Sequence, residues 1–301
     1  MLYQPKITTN LLTNLCTSFL VSSLFYIHSV HAQFELPNTK IWLVEIAAHE
    51  TIQASLLTQE TAYHNQPAFS HDGNALFYTR GDIAESDGLG YTDIYRLNFD
   101  DQLHQQITNT PTSEFSPTPI PNSSNISVVK VQSDGAQQLW SIFPGNPEIE
   151  QQIITAEPVG YHLWLNAKNL ALFILDDHTN HLEQWNVNSD KGVVLANDIG
   201  RSLIAAQEPN HYYFLQNPKQ IMLHTKSKTI PIALLPENTE DFTRAADNSL
   251  WTGVGSQLFC LPEGGTTWKL MADLKNHGIH TITRLTFAPG SSNRLALVSN
   301  E

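Results

Sequence analysis

Apolar and polar residues alternate along most of this chain in short runs, the period-two pattern of strands with one buried face. Six runs with an apolar or aromatic centre recur: Lys40-Ile41-Trp42-Leu43-Val44, Asp93-Ile94-Tyr95-Arg96-Leu97, Gln138-Leu139-Trp140-Ser141-Ile142, Gln184-Trp185-Asn186-Val187, Gln220-Ile221-Met222-Leu223 and Gln257-Leu258-Phe259-Cys260-Leu261. After a polar turn, each is followed by a second apolar run, such as Ser55-Leu56-Leu57-Thr58, Gln106-Ile107-Thr108 or Ile153-Ile154-Thr155. Between these pairs lies a further hairpin, clearest over 67–79, where Asp72-Gly73 supplies the tight turn. A near copy spans 285–299, and weaker ones span 120–131, 163–175 and 245–252. Tyr212-Tyr213-Phe214 marks the most eroded copy. No long segment of helical period interrupts the series after residue 33.

Two hairpin strands and two following strands make a four-stranded antiparallel unit, and units of about 40 residues of this kind are propeller blades. The expected fold is all-β, a six-bladed β-propeller occupying 33–301 as one domain. Its blades fall at about 61–109, 113–155, 159–198, 201–236 and 239–274. The sixth is composite: 281–301 supplies the hairpin and 40–59 the later pair, so strands from both ends of the chain share one blade. Such closure removes the edges an open ring would expose.

Composition narrows the function. Of 301 residues, 41% are hydrophobic and 15% charged, enough for a large core and unlike a disordered chain. Net charge is −13 and the 16 basic residues form no cluster, which argues against nucleic acid and anionic membrane surfaces as partners. Residues 1–32 stand apart. Lys6 precedes the apolar, acid-free stretch 15–27, followed by Ser29-Val30-His31-Ala32, the pattern of a secretory signal cleaved after Ala32. The apolar run is shorter than the ~20 residues a spanning helix needs, so the expectation is a periplasmic or secreted protein with no stable membrane insertion after cleavage. Cleavage would leave Cys260 as the only cysteine, within the apolar run Leu258-Phe259-Cys260-Leu261, where it reads as a small core residue.

Phe69-Ser70-His71-Asp72-Gly73 and Phe287-Ala288-Pro289-Gly290 keep most of a Ser-Pro-Asp-Gly-like turn, and Thr58, Thr108 and Thr155 each follow an apolar residue. In these features the chain resembles the TolB-type, WD-repeat-like propeller family, in its propeller part only and without the N-terminal α/β domain of TolB. The resemblance implies architecture rather than a particular activity.

No Gly-x-Ser-x-Gly nucleophile turn is present; Gly253-Val254-Gly255-Ser256 lacks the closing glycine and lies at a predicted hairpin. His178-Thr179-Asn180-His181 and His277-Gly278-Ile279-His280 have ligand-like spacing but fall in polar turns, and a zinc site needs three or four converging ligands. The acidic loop 81–93 fails the calcium-loop spacing. No metal ligands and no cofactor are therefore assigned. In a propeller, the segments that begin the innermost strands share one mouth of the central channel. They carry His64, Asn65, Glu114, Tyr161, His162, Arg201, Asp241, Arg244 and Arg284, a mixture suited to a polar ligand or a partner's loop. The expected function is a non-catalytic, monomeric propeller that binds a protein or a small polar ligand. The alternative is a metal-dependent lactonase: Asp247-Asn248-Ser249-Leu250-Trp251 resembles a blade of gluconolactonase-like propellers, whose central channel holds a divalent cation. That alternative needs carboxylates from several blades to converge. A purely structural partner would instead show an exposed apolar patch.

Overall fold

A computed structural model describes residues 36–46, 52–81 and 91–301. The signal-like segment 1–32 and residues 82–90 of the acidic loop lie outside the described residues. Strands β1 (Thr39–Ile46) and β2 (Ile52–Leu56) come first in the chain. The first full blade follows: β3 (Tyr63–Phe69), β4 (Ala75–Gly81), β5 (Thr92–Asn98) and β6 (His104–Gln106). The second comprises β7 (Ser113–Pro119), β8 (Ile126–Val131), β9 (Gln137–Ile142) and β10 (Glu150–Gln152). The third holds β11 (Val159–Asn166), β12 (Asn169–Ile174), β13 (His181–Asn186) and β14 (Lys191–Asn197). The fourth has β15 (Ile199–Ala205), β16 (Tyr212–Gln216), β17 (Gln220–His224) and β18 (Thr229–Leu234). The fifth has β19 (Phe242–Arg244), β20 (Leu250–Val254), β21 (Gln257–Leu261) and β22 (Lys269–Asp273). Strands β23 (Thr281–Phe287) and β24 (Arg294–Asn300) end the chain.

These strands form six four-stranded antiparallel sheets, and the sixth has the order β2-β1-β24-β23. β1 pairs with β24 from Thr39 opposite Asn300 to Glu45 opposite Arg294, so the two ends of the chain do complete one blade. Each of the six boundaries between successive blades has its own apolar cluster. Ile41, Phe69 and Leu76 join the closing blade to the first, while Val44, Trp251 and Leu285 join the fifth to the closing blade. A continuous circuit of wedges is what a closed ring requires.

The burial pattern follows from that geometry. A second strand is covered on both faces, so β12 and β24 read as nearly uninterrupted apolar runs and are buried along their length. The outermost strands sit on the rim, and Val193, Leu234 and Leu270 on β14, β18 and β22 are more than half exposed. No helix among the described residues is long and apolar enough to cross a membrane.

At two of its three places, Thr58 and Thr108, the apolar-Thr motif has a clear mechanical role. Thr58 Oγ1 accepts the Ile41 N–H at 3.0 Å, and Thr108 Oγ1 accepts the Ile94 N–H at 2.8 Å. Each hydroxyl satisfies a third-strand donor beyond the reach of the short outer strand. The outer strands were expected to include Ile107 and Ile154; they end at Gln106 and Gln152, and the two isoleucines are buried as they turn back into the ring. A second repeated contact joins neighbouring blades: Thr39 Oγ1 donates to the His64 carbonyl at 2.8 Å, and Thr92 Oγ1 to the Glu114 carbonyl at 2.9 Å. The fourth blade begins at Ile199, two residues before the boundary expected at 201.

Candidate functional site

The six innermost strands, β3, β7, β11, β15, β19 and β23, border a central channel. A cavity of ≈ 560 Å³ runs along it, from Arg201 and Asp241 near the starts of their strands, past Arg284 midway along β23, to Arg244 at the end of β19. All six blades contribute, including Gln66, Ser116, Tyr161, His162 and Thr243.

Bulges decide which side chains reach this space. The pairing register between first and second strands shifts between Asn65 and Ala68, between Phe115 and Thr118, between Val159 and Tyr161, between Ile199 and Leu203, and between Ile282 and Arg284. An extra residue on one strand re-aims the side chains beside it. In β3 and β7 the bulge residues are Gln66 and Ser116, both at φ 54°, each immediately before a proline. Pro67 and Pro117 have no N–H to lose where the ladder is broken. Gln66 then spans two blades, its Oε1 accepting from Thr79 Oγ1 at 2.8 Å and from the Ser116 N–H at 2.9 Å.

Of the nine residues expected at the channel mouth, Tyr161, His162, Arg201, Asp241, Arg244 and Arg284 border the cavity. His64, Asn65 and Glu114 do not, and the bulges are the reason. His64 and Glu114 occupy equivalent positions before the bulge and turn into the blade interface. The His64 ring lies 1% exposed against Tyr78, with Nδ1 3.2 Å from the Thr39 carbonyl. Glu114 is fully buried, with Oε1 accepting from the Thr110 and Thr112 hydroxyls at 2.6 and 2.8 Å. Burial pushes its carboxyl pKa up against those hydrogen bonds. Asn65 is buried too, its Oδ1 accepting the Gln66 N–H at 2.8 Å within the bulge.

The charged part of the cavity is small and strongly biased. Three arginines line it, and Asp241 is the one acidic residue among the described lining. Asp241 Oδ2 stands 3.9 Å from both Arg201 Nε and Arg284 Nη1, close enough to attract and too far for a hydrogen bond. Arg284 Nη2 donates to Tyr161 Oη at 2.6 Å, and its guanidinium lies 5.0 Å from the centre of the Tyr161 ring. Arg201 Nη2 donates to the Thr283 carbonyl at 3.1 Å. Arg244 binds neutral acceptors, the Ala205 carbonyl at 2.9 Å and Asn248 Oδ1 at 2.8 Å. Burial pushes the Asp241 carboxyl up, and the Arg284 and Arg201 charges pull it back down.

His162 reaches sideways into the neighbouring blade, its Nε2 2.7 Å from Ser127 Oγ, which also accepts the Trp164 indole N–H at 2.9 Å. Burial alone drives the imidazole pKa down to about 3, so the ring is neutral at ordinary pH.

The turn holding Asp247 is knit to itself rather than aimed at the channel. Asp247 Oδ1 accepts from the Ser249 N–H and hydroxyl at 3.1 and 2.6 Å, and the Ser249 hydroxyl accepts the Trp251 indole N–H at 2.8 Å. Among the described residues no three His, Cys, Asp or Glu side chains converge in a ligand-like group. At the turn holding His178 and His181, Asp176 Oδ1 accepts the His178 N–H at 2.8 Å, and His181 Nε2 lies 3.0 Å from Glu183 Oε1.

No family model matches the chain, and no curated protein matches it. Solved structures do. A putative TolB from Agrobacterium tumefaciens superposes with a TM-score of 0.65 at 13% identity, over 88% of this chain and 99% of that one. A chain of a nidogen/laminin complex superposes with a TM-score of 0.61 at 10% identity, over 84% of this chain and 99% of that one. The fold is thus a TolB-like six-bladed propeller, and at these identities the likeness extends to the fold alone.

Proposed function

We propose that this chain is an exported, non-catalytic binding module that holds a small polar ligand or a partner's loop in its central channel. One observation carries the reading: on a chain of net charge −13, the described lining of the channel has three arginines, Arg201, Arg244 and Arg284, against one carboxylate, Asp241, which stands 3.9 Å from Arg201 and Arg284. A cluster of cations in a low-dielectric recess attracts negative charge rather than a metal ion. A lactonase-like cation site would need the opposite arrangement, several carboxylates meeting at one point. The nidogen/laminin relative in fold belongs to a protein–protein complex, a use compatible with a propeller of this shape.

Elemental analysis and thermal melting, with and without a chelator, test the non-catalytic reading. The expected result is no stoichiometric divalent ion and an unchanged melting temperature. A bound ion whose chelation lowers the melting temperature would favour the metal-dependent hydrolase instead. The mass of protein recovered from its host tests export, since cleavage after Ala32 leaves Gln33 at the N-terminus.

A further inference from the structure

The Arg201–Asp241–Arg284 cluster specifies its ligand more narrowly, a deepening that rests on the binding-module reading. Two guanidiniums share one carboxylate at 3.9 Å, and neither makes a hydrogen bond to it. A guanidinium has five N–H donors. Arg284 gives one to Tyr161 and Arg201 one to the Thr283 carbonyl, while Arg201 Nε is buried with no hydrogen-bond partner. The group carries an excess positive charge and uncommitted donors in a place where unmatched charge is costly. The side chains are 30%, 12% and 15% exposed for Arg201, Asp241 and Arg284, so solvent screens them only in part.

We infer that Arg201 and Arg284 seat a small monocarboxylate bearing a neutral hydroxyl beside its carboxylate, with Asp241 receiving the hydroxyl. The two arginines and Asp241 sum to one positive charge, which a monoanion cancels. A dianion such as sulfate overshoots and meets repulsion from Asp241. The carboxylate matches the forked donors of a guanidinium. Asp241 has acceptor capacity free for a donor that a simple fatty acid lacks. Leu163, Leu203 and Leu285 line the remaining wall, and ≈ 560 Å³ is ample for a short carbon chain.

The test uses the full chain with lactate, propionate, sulfate and chloride at matched ionic strength, read by thermal melting and by NMR titration. Lactate is expected to raise the melting temperature most, propionate less, and sulfate no more than chloride. Arg201→Gln weakens lactate binding at least about tenfold, the loss of a charge-assisted pair. Asp241→Asn keeps carboxylate binding and erases the preference for lactate over propionate. Arg201 is the more exposed arginine, so its variant carries the test if Arg284→Gln does not fold. Equal responses to all four anions, or an Arg201→Gln variant that responds like the parent, would overturn the inference. If no carboxylate binds and Arg201→Gln still abolishes capture of a partner by the intact chain, the carboxylate seat is refuted while the binding module stands.

Discussion

A chain lacking β1 and β2 is expected to lose its cooperative fold, and moving those strands to the other end of the chain should restore it. Ile41, Val44 and Leu57 are at most 9% exposed in the closing blade. Burying each such side chain contributes roughly 1.5–3 kcal/mol, so the three together rival the whole stability of a typical domain. Deletion would also bare β24, a strand buried on both faces, to solvent and to other chains. The rescue follows from the register. Thr39 faces Asn300 and the Glu301 N–H donates to the Asn38 carbonyl at 3.3 Å, so a short turn can lead from β24 directly into β1. A circular permutant that begins at residue 60 and ends with 36–59 attached after Glu301 should melt within a few degrees of the parent. Circular dichroism melting decides it. A truncated chain that melts like the parent would show that the ring does not depend on its closing strands.

Acid should weaken the fold in a window set largely by one histidine. The His162 pKa falls from 6.5 to about 3 because the ring is buried. Between those values the unfolded chain binds a proton that the folded chain does not, so stability falls as pH drops below 6.5. For this group the loss is about 1.4 kcal/mol per pH unit, or roughly 2 kcal/mol at pH 5. His64, His104 and His224 are also shifted down, with burial as the leading cause, and push in the same direction. Asp241 and Glu114, with carboxyls raised by burial, act oppositely: as pH falls, their folded forms take up protons before the unfolded chain does. Replacing His162 with glutamine keeps a polar group near Ser127 and removes the titration. Urea denaturation at pH 7 and pH 5 should therefore show a smaller acid loss in His162→Gln than in the parent. Equal losses in the two proteins would contradict this account of His162.

Much of the architecture was legible because a propeller repeats one packing problem six times. Every third strand needs an apolar centre between two blades, so Ile41, Ile94, Leu139, Ile221 and Leu258 recur at the same place in their runs and are all fully buried. In the third blade the run read at Gln184-Trp185-Asn186-Val187 lies too far along the chain: β13 is His181–Asn186, and Leu182 is its fully buried residue. The apolar-Thr pairs were visible as a motif, and at Thr58 and Thr108 the structure supplies their purpose, hydroxyls that accept third-strand N–H groups; Thr155, the third instance, is exposed and its N–H donates to Asp190 instead. The channel was legible in position and less so in direction. Their place at the starts of β3 and β7 suggests that His64 and Glu114 face the mouth. The bulges at Gln66 and Ser116 shift the register beside them, and both residues turn into blade interfaces. The trace left in sequence is a residue-proline pair at the same place in two blades, Gln66-Pro67 and Ser116-Pro117. The repeat pattern brings Arg201, Asp241 and Arg284 to one mouth; their separation, 3.9 Å from each arginine to the carboxylate, is not written in it, because the three come from different blades.

Native mass spectrometry of protein purified from its producing cells, beside its Arg201→Gln variant, tests the central claim of a cationic binding channel most directly. The account predicts that the parent carries a small organic anion and that the variant is empty. A stoichiometric divalent cation retained in both proteins, or identical empty masses for both, would contradict it.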